Sequence, residues 1–473
     1  MRIAILQKIP FEFIGVMFLG SVIKNLGHQC EVFIADIDRA QLLENVKNYS
    51  PNLIAFSLLS NDYRWFKNFL PSLQQTLPNT PVIVGGPHAT FFPELIEHFN
   101  VKTVFLGEAE GSLEEFLQNY GNEDSLKAID GIWYKDDNGT IFKNKPRFLL
   151  ENLDELPFPD RGLYYDKYEE LRMKESKNFM ASRGCPYRCA FCFSNSYQKL
   201  YKGKGRYFRL FSPERIIQEV KETKVRYPLK GVSFEDFGEF TQDPNLLMRF
   251  LSLYKKEIHL PFKCSLRANM MTDNLAKALK DAGVNAVIFG IESGDEHIRN
   301  NVLNKKIKDS HIIECARILK KNGIKFGTYN IFGIPSETIH DAIKTVELNI
   351  KINTDYPWAS ILAPYPKTDI AKLAVQLKLI PEDFDCADLP ASYFSRSPLN
   401  LPQKYIFENL QRIFYLAVRH PSLYPMLKKL VKINCPPFFK SLFIISFILR
   451  FSQEQDWPLR KTIKMAWGFR SSF

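Results

Sequence analysis

Over roughly the first 120 residues, short apolar runs alternate with stretches of helical spacing. Strands are expected at Arg2–Leu6, Glu31–Ala35, Leu53–Ser57, Val82–Val84 and Thr103–Leu106. Helical spacing fills the gaps at Ile14–Leu26, Arg39–Tyr49, Asp62–Gln75, Pro93–His98 and Ser112–Tyr120. That alternation is the pattern of a parallel α/β sheet. Asn138-Gly139 between two extended runs signals a hairpin, so residues 121–150 read as a small β appendage. From Asn178 to about Lys378 the strand–helix rhythm returns, with strands expected at Lys177–Ser182, Gly231–Phe234, Phe262–Arg267, Ala286–Gly290, Lys325–Ile331 and Trp358–Leu362. Such a series suits a partial (β/α)6 barrel. The expected organisation is 1–150 for the first sheet and its appendage, 151–177 for a Pro-containing linker, 178–385 for the barrel, and 386–473 for a helical, basic C-terminal region.

Chemistry concentrates where such strands end, because parallel sheets and barrels place their ligand loops at the carboxyl ends. In the first sheet those loops hold Ser57 and Leu59, Gly85, Gly86 and His88, and Gly107 and Glu108. In the barrel they hold Glu235, Arg267, Glu292 with Ser293, and Gly333. Glu235 and Arg267 suit a ligand contact or a structural ion pair equally well, and Glu292-Ser293-Gly294 also fits a helix-capping turn.

The densest chemistry is Arg183-Gly184-Cys185-Pro186-Tyr187-Arg188-Cys189-Ala190-Phe191-Cys192. It holds three of the eight cysteines at C-x3-C-x2-C spacing. Three thiolates so placed can grip three corners of a cubic iron–sulfur cluster and leave the fourth iron open to a reactant. A structural zinc site needs a fourth ligand, and the next histidine in the chain is the distant His259. The clustering of cysteines, without regular pairing, argues for a reducing compartment.

This stretch, with Phe191 before its last cysteine, resembles the cluster loop of radical S-adenosylmethionine (SAM) enzymes. Ser57-Leu58-Leu59-Ser60, Gly85-Gly86-Pro87-His88 and Gly107-Glu108-Ala109-Glu110 resemble the cobalamin-binding domain of the B12-dependent members, and Glu155–Arg161 resembles their interdomain segment. The resemblance implies a Rossmann-like cobalamin domain ahead of the barrel. It implies Cys185, Cys189 and Cys192 as ligands of a [4Fe-4S] cluster, and Phe191, Glu292, Ser293 and Gly333 as SAM contacts. Cobalamin is expected along Ser57, Leu59, Gly85, Gly86, His88, Gly107 and Glu108. One departure stands out: the D-x-H-x-x-G of B12 domains becomes Pro10 and Glu12 before Gly15, so no histidine is offered to the lower face of cobalt.

The activity so implied is C-methylation of an unactivated carbon, using the cluster, SAM and methylcobalamin. Two other readings stay open: a non-methylating B12 radical SAM cyclase or oxidoreductase, and a non-catalytic corrinoid or iron–sulfur binding protein. A small-molecule or lipid-like substrate and an external electron donor of flavodoxin or ferredoxin type are expected, with no nucleic acid.

Composition changes the picture only near the end. Seven of the net +11 charges fall beyond Pro421, where nine Lys or Arg face only Glu454 and Asp456. Pro436–Phe451 is apolar but too short and too charged to span a bilayer comfortably. It reads as a helix packed on the barrel or one lying in a membrane interface, the latter kept open by Trp457 and Trp467. The cytoplasm, with peripheral membrane contact as an option, is the expected location.

Overall fold

The structure, a computed structural model, describes residues 1–390, 392–455, 460 and 463. It divides into two compact units, one formed by Met1–Pro186 and Tyr197–Val232, the other by Tyr187–Ser196 and Ser233–Phe473. These limits cross those drawn from the hydrophobic pattern. Residues 197–232 join the first unit because Tyr201 and Arg209 bond to a loop of its sheet.

The first unit is built on a seven-stranded sheet of β1 (Arg2–Gln7), β2 (Gln29–Ile34), β3 (Leu53–Ser57), β4 (Val82–Gly85), β5 (Thr103–Phe105), β6 (Ile132–Lys135) and β7 (Ile141–Lys143). Its order is β2-β1-β3-β4-β5-β6-β7, parallel through β5 and antiparallel beyond. Both faces are covered, as a parallel sheet requires. Ala4, Leu6, Ile54 and Phe56 pack with Phe66 and Leu70 on one side. Ile3, Ile5 and Val32 pack with Val16, Met17 and Phe116 on the other. The covering helices include α1 (Ile14–Asn25), α2 (Tyr63–Thr76), α3 (Pro87–Phe91) and α4 (Glu110–Gln118). Strand order reverses between β1 and β3, the point at which open α/β sheets accept ligands.

Most expected elements are present within a residue or two. The hairpin β6–β7 forms around Gly139, whose φ is +84°. Three local expectations are corrected. The loop expected at Gly85–Ala89 is cut short by α3, which begins at Pro87 because proline in the first turn is preset for a helix. Ala35 leaves the strand to start a short helix. The expected strand Lys177–Ser182 breaks in two: β8 (Ser176–Phe179), then β9 (Ser182–Arg183), which pairs antiparallel with β10 (Arg209–Leu210).

The remaining strands are β11 (Gly231–Phe234), β12 (Phe262–Ser265), β13 (Val284–Glu292), β14 (Lys325–Phe332) and β15 (Tyr356–Ile361). With β8 they form a sheet ordered β15-β14-β13-β12-β11-β8, the open, curled sheet of a partial barrel. The pairs from β12 to β15 are parallel. The last helices that matter below are α5 (Phe193–Leu200), α6 (Ile339–Lys351), α7 (Lys404–Arg419), α8 (Tyr424–Leu430) and α9 (Pro436–Gln455). α9 packs: Phe439 and Ser446 are buried, Phe443 and Phe447 meet Phe394 and Trp358, and Tyr415 on α7 donates to Gln453 at 2.9 Å. Among the described residues no helix is long and apolar enough to cross a membrane. Trp457, Trp467, Lys461, Lys464 and Arg470 lie outside the described residues.

Candidate cofactor sites

In the second unit the loop from Tyr187 to Ser196 is fixed by the segment after β13. Ala190 donates its amide to Leu303 O at 2.9 Å and accepts at its carbonyl from Ile370 at 3.0 Å. Asn304 Nδ2 donates to Arg188 O at 2.8 Å. Cys192 closes a turn onto Cys189 O, and the Ser194 amide donates to Cys192 Sγ at 3.4 Å, a contact that favours the thiolate. Phe191 packs against the apolar core formed with α6 and α7.

The next residue of that segment, Lys305, completes a buried ion pair. Its Nζ lies 2.6 Å from Glu292 Oε1, and both side chains are 9% exposed. Glu292 reaches it through an irregularity in β13: the register with β14 shifts between Gly290 and Glu292, and Glu292 takes φ +65°. Bulges of this kind turn a side chain away from its regular direction. Gly290 makes the room, since a Cβ there would sit 2.1 Å from Glu292 Oε1 and 2.5 Å from Lys305 Nζ. Both charges are felt at Cys192, where burial raises the thiol pKa, Lys305 lowers it and Glu292 raises it.

Other expected residues of this unit are placed as follows. Arg267 lies 3.6 Å from the Tyr187 ring centroid and donates to Lys305 O. Glu235 gathers hydroxyls from three strands, at 3.3 Å from Ser233, 3.0 Å from Ser265 and 3.3 Å from Tyr329. Ser293 is fully buried, its carbonyl accepting from the buried Arg299 at 2.8 Å. Gly333, at φ +77°, and Ile334 both donate their amides to Glu337 Oε2. Burial pushes Glu337 up to about 8 against those two amides.

In the first unit Cys185 follows β9, its carbonyl held by Gln198 Nε2 at 2.8 Å. The root of this loop is an ionic knot. Arg183 donates to Glu108 Oε2 at 3.0 Å and to Glu110 Oε1 at 2.5 Å, while Arg209 pairs with Glu108 from the other side. Burial opposes charge on Arg183, but Glu110 and Glu108 outweigh it and raise its pKa.

The loops at the carboxyl edge of the first sheet form a ledge. Ser57, Leu59, Gly85, Gly86, Gly107 and Glu108 are half-buried, while Leu58 and Ser60 between them turn inward. Gly86, at φ +94°, leaves no room for a side chain beside the Leu58 backbone, and Gly107, at φ +67°, leaves none beside Tyr201. His88 is 1% exposed, set between the rings of Tyr63 and Phe92, with Nδ1 3.4 Å from Ser60 Oγ. Glu12 is buried, and burial raises its pKa against Lys174, Lys177 and Arg161.

Lys305, Tyr329, Arg209 and Tyr201 lie between the recognisable motifs, while Arg183 and Tyr187 stand inside the cysteine stretch, where nothing local announces their partners Glu108, Glu110 and Arg267. The only local hint was the C-terminal position of Lys305 in the segment opened by Glu292-Ser293-Gly294.

The donor set fits the implied groups. None of the eight cysteines is in a disulfide. Among the described residues no three His, Cys, Asp or Glu side chains converge on one point.

Comparison with known proteins agrees with this reading. A model of the B12 binding domain matches residues 10–117, and one of the radical SAM superfamily matches residues 180–348. The chain is 29% identical over 374 residues to an uncharacterized methyltransferase, PH0819, of Pyrococcus horikoshii, covering 78% of this chain and 79% of that one. It is 20% identical over 370 residues to the anaerobic magnesium-protoporphyrin IX monomethyl ester cyclase of Rubrivivax gelatinosus, covering 75% and 65%. Its fold is similar to that of the radical SAM methyltransferase TsrM from Kitasatospora setae, solved with cobalamin and a [4Fe-4S] cluster, with TM-score 0.63 and 14% identity over 85% of this chain and 80% of that one. With both family models matched in order along one chain, the protein carries a B12 binding domain followed by a radical SAM domain, the pair of domains of an enzyme that uses a [4Fe-4S] cluster, SAM and cobalamin.

Proposed function

We propose that the protein is a cobalamin-dependent radical SAM methyltransferase that adds a methyl group to an unactivated carbon of a small-molecule or lipid-like substrate in the cytoplasm. The observation that carries this is the joining in one chain of the cysteine loop and the corrin ledge, in a protein that shares 29% identity with one named as a methyltransferase. When bound, the cluster with SAM supplies a radical that takes hydrogen from carbon, and the corrinoid supplies a transferable methyl group.

The chain's own residues hold and shield these groups. Cys185, Cys189 and Cys192 would hold three irons. Glu292, paired with Lys305, would accept from the ammonium or ribose hydroxyls of SAM, a charge-assisted contact in the first case. Glu235, Arg267, Ser293 and Gly333 would complete that pocket with Phe191. Ser57, Leu59, Gly85, Gly86, His88, Gly107 and Glu108 would shape the corrin site. An external donor of flavodoxin or ferredoxin type would supply electrons, and the C-terminal region would make peripheral contact with a membrane.

The cyclase relative favours a second reading, oxidative cyclisation without methyl transfer. The two separate by products. Methylation yields S-adenosylhomocysteine and 5′-deoxyadenosine in equal amounts with product. Turnover that yields 5′-deoxyadenosine and product without S-adenosylhomocysteine would assign the cyclase reading instead.

A further inference from the structure

The turn between α8 and α9 shows an unusual surface for a packed helical hairpin. Lys432, Ile433, Asn434, Cys435, Pro436, Pro437 and Phe438 are exposed in succession. Ile433 is 54% and Phe438 44% exposed, and Met426 on α8 and Ile445 on α9 exceed half. Phe438, Ser441 and Ile445 recur at helical spacing on α9, so they form one stripe. The opposite face, Phe439, Phe443 and Ser446, is the one that packs. Helix packing therefore leaves Phe438, Lys440, Ser441 and Ile445 of α9 exposed.

Charge says what would cover it. Lys429, Lys432 and Lys440 are exposed around the apolar tip, and among the described residues none pairs with a carboxylate. From Pro421 to Gln453 the chain has no Asp or Glu at all. Lys428 is apart, since it is tied to Glu347 at 2.8 Å. Apolar side chains at a tip, ringed by unpaired lysines, match the chemistry of an anionic bilayer surface: acyl chains below, acidic headgroups at the level of the ammonium groups. A protein partner would need an acidic, apolar groove, a less general match to three flexible lysines.

We propose that the α8–α9 turn is a membrane-docking tip that inserts Ile433 and Phe438 among the lipids of an anionic bilayer, with Lys429, Lys432 and Lys440 on the headgroups. This deepens the reading of the C-terminal region as membrane-peripheral and does not rest on methyl transfer.

The test is co-sedimentation of the full-length holoenzyme with phosphatidylcholine vesicles and with vesicles that also contain phosphatidylserine, at low and high salt. Binding is expected only to the phosphatidylserine vesicles and is expected to weaken with salt. K429Q/K432Q/K440Q should weaken it by roughly 100-fold, at about 1 kcal/mol per lysine. I433S/F438S should remove the part that survives high salt. Both variants change exposed side chains, so unchanged thermal unfolding and unchanged cofactor loading would show that they remain folded. If the wild type binds and the variants bind equally well, the tip assignment fails while the peripheral reading stands. If the wild type binds neither vesicle, both fall together, and the methyltransferase reading is untouched.

Discussion

Lys305 Nζ stands 2.6 Å from Glu292 Oε1, and both side chains are buried at the carboxyl end of β13. The backbone reaches this pairing only by a register shift and a positive φ at Glu292, and only with glycine at 290. A buried pair is costly to break on one side, because the remaining charge keeps its desolvation penalty without its partner. Lys305→Met is therefore expected to destabilise the fold by about 3–5 kcal/mol in urea denaturation. Adding Glu292→Gln should recover much of that loss but not SAM binding, which equilibrium dialysis would show. Full SAM affinity in the double variant would remove Glu292 from the site.

Gly290→Ala tests the same pair without touching a charge. The new Cβ would displace Glu292 Oε1 and Lys305 Nζ together. Overpacking of this kind costs typically about 1–3 kcal/mol. SAM affinity should fall with it, while corrinoid binding, measured spectroscopically, should not change.

Arg183 holds Glu108 and Glu110 two residues ahead of Cys185. Arg183→Met should strand Glu110, which the guanidinium holds below the ordinary carboxylate pKa despite burial, and cost roughly 3 kcal/mol. Arg183→Lys should recover only part, because one ammonium cannot reproduce a fork that meets two carboxylates. Iron content per chain after reconstitution is the second readout, expected to fall in the same order.

Asp62 gives the molecule a pH dependence of known sign. It is 2% exposed, its Oδ2 has no hydrogen-bond partner, and burial pushes its pKa up to about 6, with Asp36 adding to the shift and Lys8 opposing it. The folded chain then keeps this proton to higher pH than the unfolded chain does. Its contribution to stability is most favourable below about pH 4, falls as pH rises toward 6, and is flat above. Asp62→Asn should flatten that fall, raising stability near neutral pH by at most about 3 kcal/mol and changing little in acid. A variant that is no more stable than wild type near neutrality would contradict the assignment.

Much of this is legible in the sequence. The strands of the first sheet show as continuous apolar runs because that sheet is buried on both faces, and the cysteine loop is recognisable because three thiols fall between Cys185 and Cys192. What stayed hidden depends on neighbours distant in sequence. Nothing near Gly107 announces that Tyr201 fills its missing Cβ, and nothing near Glu108 announces Arg183 and Arg209. The break between β8 and β9 was hidden for the same reason: Ser182–Arg183 has strand character, but its partner is Arg209–Leu210.

The central claim is that one chain holds a cluster on Cys185, Cys189 and Cys192 and a corrinoid on its first sheet. The most direct measurement is anaerobic reconstitution with iron, sulfide and hydroxocobalamin, reading iron, sulfide and corrinoid per chain, and 5′-deoxyadenosine released on reduction with SAM. Wild type is expected to bind one cluster and one corrinoid and to cleave SAM. Cys192→Ala is expected to keep the corrinoid and lose both intact cluster and cleavage. A Cys192→Ala protein that retains a full cluster and cleaves SAM would contradict the claim.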